Sequence, residues 1–322
     1  MIEATQLTKS LAAVRAVSEV SFTVQKGEAV GFVGPNGAGK TTSFRMLAGI
    51  LAPDSGRVSV MGIDLATDPI NAKRQIGYMA ESAPLYPELT GLEYLSYRAE
   101  LRGVKKSARA QLVLKAAEKA GAHLMLGVRI GHLSKGYRQR MALADALLGD
   151  PVVVLLDEPT SGLDPNQVLE TRKLIRELAK DHAVLLSTHV LSEVEATCSR
   201  AIVIDRGRVV AQGRLDELKQ LSTKDRALLH VQGKREAVDR IIAELQREAT
   251  LLELRDITPN KIQLELRLHS ETSLSRVVRA LVESGLELEQ ATHISTPLDE
   301  VFAHLTVQAE PVQQKSPSKE LL

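Results

Sequence analysis

A glycine-rich stretch near the N-terminus limits the possible folds of this chain more than any other feature does. It reads Gly34-Pro35-Asn36-Gly37-Ala38-Gly39-Lys40-Thr41 and matches the pattern G-x-x-x-x-G-K-[ST]. The apolar run at 29–33 predicts a buried strand before it, and residues 41–48 predict a helix after it. In such a turn, backbone N–H groups cradle phosphates, the lysine reaches the β- and γ-phosphates and the hydroxyl binds Mg²⁺. The stretch and the adjacent Thr42 are therefore predicted to bind a nucleotide.

Length and composition predict two domains and a cytoplasmic setting. The chain has 322 residues, 44% of them hydrophobic, and single cores rarely grow beyond about 250–300 residues. A net charge of +1 and the lack of a Lys/Arg tract argue against nucleic acid as a main partner. Cys198 is the only cysteine, which excludes an internal disulfide and favours a reducing compartment. The sequence shows neither a signal peptide nor a membrane-spanning run, so any membrane role is expected to come through a partner.

The order of predicted elements is typical of an α/β fold with a largely covered sheet. Strand patterns occur at 2–7, 17–24, 29–33, 57–60, 76–79, 152–156, 183–187, 201–204 and 209–212. They stop between residues 90 and 148, where helices are predicted at 92–101, 107–120 and 137–148. Thr90-Gly91-Leu92-Glu93 has the pattern of a capping box at the start of the first of these helices. We therefore predict an all-helical subdomain of about residues 82–148.

A second, smaller domain is predicted after a polar boundary. The polar run at 222–225 separates a domain of residues 1–221 from one of residues 222–307. The second domain reads as strand, helix, strand, strand, helix, strand at 227–231, 235–248, 251–257, 262–268, 274–284 and 286–293. This is the order of a small α+β, ferredoxin-like domain. A last helix is predicted at 298–305, and the proline- and glutamine-containing tail 308–322 is predicted to be disordered.

Two adjacent carboxylates supply the chemistry that the glycine-rich turn lacks. Asp157 and Glu158 follow the strand predicted at 152–156, and the carboxyl ends of parallel strands place them beside the phosphate loop. Asp157 is expected to hold Mg²⁺ largely through water. Glu158 is expected to orient or deprotonate an attacking water, a role worth about 10²–10⁴-fold in rate. Together with Lys40, they predict hydrolysis of a nucleoside triphosphate.

Three further features accompany the phosphate loop and the carboxylate pair: Leu133-Ser134-Lys135-Gly136-Tyr137, the run 159–164, which ends in Asp164, and His189. They are similar to the signature motif, the D-loop and the switch histidine, in that order, of the ATP-binding cassette (ABC) ATPases. The chain resembles that family over about residues 1–220. The resemblance implies a phosphate-loop cassette fold, ATP and Mg²⁺ as ligands, and contact between His189 and the γ-phosphate.

The resemblance also implies a dimer of two cassettes. Ser134 is placed to cap the helix that runs to residue 148, so that a hydroxyl, backbone N–H groups and the positive helix end point outward. Such an end binds anions, and in the family the anion is the γ-phosphate held by the opposite subunit. We therefore expect a homodimer that sandwiches two nucleotides, with Ser134, Gly136 and Asp164 acting across the interface.

Three departures from the common cassette pattern narrow the resemblance. The aromatic residue that usually stacks on adenine is replaced by aliphatic side chains near Leu11, so stacking is expected to be weaker. Glu81 stands for the usual glutamine and keeps an oxygen for Mg²⁺ coordination. Lys135 and Tyr137 within the signature are similar to the ABC-2 type exporters, which include gliding-motility, sodium-efflux and drug-export cassettes.

Two classes of function fit this sequence. In the first, ATP binding and hydrolysis power a separate integral membrane permease, and the helical insert pushes on that permease at the cytoplasmic face of the membrane. Residues 82–95 are then the expected docking groove, although a solvated loop is also possible there. In the second, the chain is a soluble cassette ATPase that acts on ribosomes or nucleic acid. Such proteins usually carry two cassettes or a long coiled-coil insertion, and this sequence shows neither. The sequence does not identify the transported substrate.

Overall fold

The computed structural model describes residues 1–12, 14–220, 226–233, 235–258, 260–269 and 273–293. The chain divides into two compact units, Met1–Leu215 and Asp216–Leu322. Helix α8 (Leu215–Gln220) begins at this division, a few residues before the boundary expected at 221. The helix predicted at 298–305 and the tail at 308–322 lie outside the described residues.

A six-stranded sheet forms the centre of the first unit. It comprises β3 (Ala29–Val33), β6 (Ile76–Met79), β7 (Val153–Asp157), β8 (Ala183–Thr188), β9 (Arg200–Asp205) and β10 (Arg208–Arg214). The strands lie in the order β10-β9-β3-β8-β7-β6, and all neighbours are parallel except β9 and β10. Strands β3 and β7 are buried at every position, as expected for parallel strands with both faces covered.

A second sheet of the first unit is antiparallel and shares one core with the central sheet. Its order is β2-β1-β4-β5, made of β1 (Ile2–Leu11), β2 (Val14–Val24), β4 (Ser55–Val60) and β5 (Ile63–Asp64). Phe32 of β3 lies at the middle of this core, with ring centroids 5.5 Å from Phe22 and 5.9 Å from Phe44. Phe44 belongs to helix α1 (Lys40–Leu47), so the helix after the phosphate loop is fixed by apolar packing.

The described part of the first unit contains six further α-helices before α8. They are α2 (Pro69–Arg74), α3 (Gly91–Leu101), α4 (Lys106–Lys119), α5 (Lys135–Leu147), α6 (Pro165–Asp181) and α7 (Leu191–Thr197). Helices α3, α4 and α5 form the expected helical insert. The capping box at Thr90 is confirmed, because Thr90 N–H donates to Glu93 Oε2 at 2.8 Å and Glu93 N–H donates to Thr90 Oγ1 at 3.2 Å.

A buried polar contact joins two helices of the insert. Tyr94 Oη and Arg98 Nε, both of α3, donate to the carboxylate of Asp145 in α5 at 3.0 and 2.9 Å. Burial and the charge of Asp145 raise the pKa of the Tyr94 hydroxyl, which therefore remains a donor. The insert is thus held as one piece by a charged network as well as by apolar packing.

The second unit contains a four-stranded antiparallel sheet in the order β12-β13-β11-β14. Its elements are β11 (Arg226–Gln232), α9 (Arg235–Glu244), β12 (Ala249–Thr258), β13 (Lys261–Leu268), α10 (Ser273–Glu283) and β14 (Glu287–His293). Every second residue of β13 is buried, from Ile262 to Leu268, and both helices pack on that face. The second unit therefore has its own core. The predicted helix 235–248 ends at Glu244 and continues as a 3₁₀ turn.

Within the described ranges, no helix combines the length and the apolar character that crossing a bilayer requires.

Candidate active site

Four loops of the first unit meet at one edge of the central sheet. Strands β3, β8, β7 and β6 are neighbours and run parallel, so the residues that follow them converge. They line a cleft of about 640 Å³. Ten residues predicted for the site line this cleft: Leu11, Asn36, Gly37, Gly39, Lys40, Thr41, Thr42, Glu81, Glu158 and His189. Ala16 and Ser161, which the sequence analysis did not single out, line it too.

The phosphate loop depends on glycine at two kinds of position. Gly37 and Gly39 have φ angles of 83° and 100°, in the region that favours glycine. A Cβ on Gly34 would overlap the carbonyl oxygen of Ile204 in β9. The loop is closed by Ala38 N–H, which donates to the Pro35 carbonyl at 3.2 Å. Gly34, Pro35 and Ala38 therefore shape the loop from behind the cleft.

Glu158 contacts both Lys40 and His189. Lys40 Nζ is 3.7 Å from Glu158 Oε1 and donates to the Gly34 carbonyl at 2.8 Å. His189 Nδ1 lies 3.1 Å from both carboxylate oxygens of Glu158. Lys40 and Glu158 are only 7% and 8% exposed. Buried charges are tolerated when they are paired in this way.

Asp157 lies beside this cluster and is held by two hydroxyl groups. Ser187 Oγ donates to Asp157 Oδ1 at 2.5 Å, and Tyr78 Oη donates to Asp157 Oδ2 at 3.4 Å. Burial and the Asp157 carboxylate raise the pKa of Tyr78 to about 12, so its hydroxyl keeps the proton that it donates. With Thr41 and Glu81, Asp157 and Tyr78 line a second cleft of about 380 Å³.

The donor set of this second cleft fits a magnesium–nucleotide complex. Thr41, Glu81 and Asp157 offer only oxygen atoms, which are the donors that Mg²⁺ prefers. In the part of the chain that the structure describes, no group of three or more His, Cys, Asp or Glu side chains is close enough to hold a metal ion. The octahedral coordination of Mg²⁺ would therefore have to be completed by water and by the phosphates of a nucleotide.

The signature residues and Asp164 lie together, away from the Lys40 cleft. Ser134 caps α5 by accepting from Tyr137 N–H at 3.4 Å, and Asp164 caps α6 by accepting from Gln167 N–H at 3.0 Å. A Cβ on Gly136 would approach Gln167 Oε1 to 2.7 Å, so the two helix starts are in close contact. None of Ser134, Gly136 and Asp164 is among the residues that line the cleft.

The signature helix contacts the loop that follows Glu158. Gln139 Nε2 donates to the Ser161 carbonyl at 3.3 Å, and Ser161 N–H donates to the Glu158 carbonyl at 3.1 Å. A Cβ on Gly162 would overlap Nζ of Lys135, which places this lysine directly over the loop. Sequence reasoning missed Ser161, Tyr78 and Ser187, whose only signal is their place within three residues of Glu158, Glu81 and His189.

Comparison with known proteins identifies the family. The family model for ABC transporters matches residues 17–161. The chain is 35% identical over 302 residues to the daunorubicin resistance ATP-binding protein DrrA3 of Streptomyces coeruleorubidus. The aligned residues make up 91% of each chain. The chain belongs to the ATP-binding proteins of ABC transporters. Another member of the family, the bacitracin transport ATP-binding protein BcrA of Bacillus licheniformis, is 30% identical over 95% of this chain and 97% of its own length.

Solved structures agree with this assignment to the ABC transporter ATP-binding proteins. The structure of an ATP-binding subunit of an ABC transporter matches with a TM-score of 0.62 and 32% identity, over 69% of this chain and 92% of that one. A dimeric bacterial ABC transporter cassette matches with a TM-score of 0.61 and 25% identity, over 67% of this chain and 99% of its own. The predicted cassette fold and ATPase activity are confirmed: this ABC subunit binds ATP and hydrolyses it for transport.

Proposed function

We propose that two copies of this ABC subunit hydrolyse MgATP to drive an integral membrane permease of the ABC-2 exporter type, at the cytoplasmic face of the membrane. The observation that carries the chemistry is that Glu158 contacts both Lys40 and His189 in one cleft. Export is supported by relatives whose names refer to daunorubicin resistance and bacitracin transport and that align along nearly their whole length.

The position of each predicted catalytic or binding residue suggests its part in hydrolysis. The N–H groups of residues 36–41 and the Lys40 ammonium bind the phosphates, and Leu11 lies where the adenine would rest. Glu158 accepts the proton of the attacking water, and His189 keeps the Glu158 carboxylate aimed at that water. Thr41, Glu81 and Asp157 would hold Mg²⁺, which when bound would neutralise charge on the phosphates.

The second set of site residues acts across a dimer in this proposal. Ser134, Gly136 and Asp164 lie together but outside the cleft of their own chain. The N-terminus of α5 and the Ser134 hydroxyl form an anion-binding end. The dimeric state of a matching cassette supports a head-to-tail pair in which this end meets the partner's nucleotide.

An exposed aromatic patch on the helical insert supports a permease contact. The ring of Tyr86 lies 5.9 Å from Tyr94 and 6.0 Å from Tyr97, between ring centroids. Tyr86 and Tyr97 are 45% and 43% exposed, and exposed apolar patches mark interaction sites. Tyr86 and Tyr94 lie within residues 82–95, the docking groove expected from the sequence. We infer that a cytoplasmic helix of the permease docks here.

The experiment that tests this function is recovery of a membrane partner. The tagged chain is purified from detergent-solubilised membranes of its host, and the co-purified complex is placed in liposomes to measure ATP hydrolysis. Tyr86→Glu is expected to abolish recovery of an integral membrane protein without changing basal hydrolysis. Leu124→Glu, at a residue of the insert that is 76% exposed, serves as the matched control. Sedimentation of the wild type with ribosomes, and no membrane partner, would overturn the proposal.

For the second unit, we propose a ferredoxin-like domain that braces the dimer. Its strand order and its element order agree with the split βαβ pattern. Its separate core and the position of every proposed site residue before Asp216 support a role apart from catalysis. A chain ending at Leu221 should fold and bind ATP but dimerise less readily without nucleotide. Light scattering on both chains measures this, and equal dimer populations would exclude the brace.

A further inference from the structure

Ser187 contacts both carboxylate residues of the active site with one side chain. It lies in β8, between the strand of the phosphate loop and the strand that carries Asp157, and is 0% exposed. Its Oγ donates to Asp157 Oδ1 at 2.5 Å and accepts from the backbone N–H of Glu158 at 3.0 Å. Both hydrogen-bonding functions of the hydroxyl are therefore directed at adjacent site residues.

The contact with Glu158 supports an uncommon backbone conformation. Glu158 has a φ angle of 49°, in the left-handed region that side-chain-bearing residues rarely adopt. Its N–H is shared between Ser187 Oγ and the Ser187 carbonyl oxygen, which is 3.2 Å away. This turn at the end of β7 brings the carboxylate to Lys40 and His189. Such strained residues persist where their surroundings determine them, as Ser187 does here.

The contact with Asp157 is the shorter of the two that orient its carboxylate. The Tyr78 hydroxyl is 3.4 Å from Oδ2, whereas Ser187 is 2.5 Å from Oδ1. Asp157 is 1% exposed, so bulk water offers it little alternative solvation. Removing the Ser187 hydroxyl would leave a buried oxygen of Asp157 and the N–H of Glu158 with poorer partners at the same time.

We propose that Ser187 is a positioning residue that aligns Asp157 for the metal and Glu158 for the attacking water. The inference rests on the roles proposed above for these two carboxylates. It differs from a purely structural role, in which the serine would only fill and satisfy the core. A structural role changes stability alone, whereas a positioning role changes how strongly metal and nucleotide reinforce each other's binding.

The test measures the affinity of a fluorescent, non-hydrolysable ATP analogue in EDTA and with saturating Mn²⁺. The ratio of these affinities reports metal coordination, while the affinity in EDTA depends on the phosphate loop. Ser187→Ala should keep the affinity in EDTA but reduce the ratio roughly tenfold or more, as loss of residues that orient metal ligands typically does. Ser187→Thr, which keeps the hydroxyl, should recover most of the ratio.

Matched variants distinguish a folding defect, a wrong inference about Ser187 and a wrong assignment of the metal site. Ser18→Ala removes a buried hydroxyl for which no hydrogen-bond partner is found among the described residues, and should leave the ratio unchanged. If Ser187→Ala does not fold, Ser187→Cys fills the same space with a much weaker hydrogen-bonding group and should show the same loss. An unchanged ratio in Ser187→Ala or Ser187→Cys overturns the inference. An unchanged ratio in Asp157→Asn would instead overturn the proposed metal site.

Discussion

The two units of this protein differ most in what they bury. Among the described residues, the first unit buries Lys40, Asp157, Glu158 and Ser187, each at 8% exposure or less. The buried positions described in the second unit are apolar apart from Arg226, which lies 3.2 Å from Glu265. Buried polar groups cost stability unless they are paired. Their concentration in the first unit therefore indicates that these residues serve the chemistry of the site rather than the stability of the core.

Sheet topology explains why only one unit gathers such groups. Parallel strands of the first unit end at the same edge, so the residues after β3, β6, β7 and β8 meet. In the antiparallel sheet of the second unit, the carboxyl ends of neighbouring strands lie at opposite edges. Its alternating buried and exposed positions build a core and a surface but do not converge side chains on one point.

The largest effect that should separate the units is loss of catalysis from the first one. Glu158→Gln is expected to slow hydrolysis by about 10²–10⁴-fold while ATP binding persists, because the amide keeps the size of the side chain but cannot take a proton. Phosphate release at saturating ATP measures the change. Glu253→Gln, at an acid of the second unit paired with Arg255, is the control and should retain full activity. Slow ATP hydrolysis by Glu253→Gln would contradict the conclusion that catalysis resides in the first unit alone.

A core substitution in the second unit should lower the stability of that unit without changing the rate of ATP hydrolysis. Leu264 is 0% exposed in β13, and Leu264→Ala should destabilise the second unit by about 2–5 kcal/mol through the lost packing and the cavity. Calorimetry of the ATP-bound protein should show a shift of one transition, with the rate of hydrolysis unchanged. Leu185→Ala, equally buried in β8, should instead lower both the stability and the activity of the first unit. Parallel loss of activity in Leu264→Ala would mean that the units are coupled.

The affinity for ATP should depend on an exposed residue of the first unit. Leu11 is 47% exposed and lines the cleft, so Leu11→Tyr should tighten ATP binding by about 1–3 kcal/mol through base stacking. Val14→Tyr, at the residue paired with Leu11 but not among the cleft-lining residues, is the matched control. Titration with ATP measures both variants. An equal gain in both, or none in Leu11→Tyr, would show that another residue contacts the base.

The smallest effect is expected at the surface of the first unit. Asp150 accepts from Lys115 and Lys119 at 3.0 and 2.9 Å, and these two ammonium groups lower its pKa to about 2. Because the folded pKa is below the ordinary value of 3.8, the stabilisation is present at neutral pH and is lost as the pH falls from about 4 to 2.

Asp150→Asn should therefore lower the free energy of unfolding at pH 7 by less than about 1 kcal/mol, since the carboxylate is half exposed. Asparagine also tolerates the left-handed conformation of this residue, whose φ is 54°. Urea unfolding at pH 7 and pH 3, with and without high salt, checks this. A difference from wild type that is independent of both pH and salt would contradict an origin in charge.

Local features of the fold were predictable where neighbouring residues decide them. Thr90 and Glu93 cap α3 as their spacing predicts, and Ser134 caps α5. The sequence predicts a helical pattern between the strands at 152–156 and 183–187 but not the bounds of helix α6 (Pro165–Asp181), although Asp164 followed by a proline is a recognisable start signal. The 3₁₀ turn after Glu244 was read as helix because its residues continue the helical pattern.

The sequence by itself determined the phosphate loop, the carboxylate pair after β7 and the helical insert, because each depends on residues a few positions apart. Only the tertiary structure decided that Ser187 lies between Asp157 and Glu158, and that Lys135 covers Gly162. These contacts depend on which strands and helices become neighbours. Strand order is set by packing of the whole sheet, and a serine in a buried strand has the same local pattern whether or not it serves the active site.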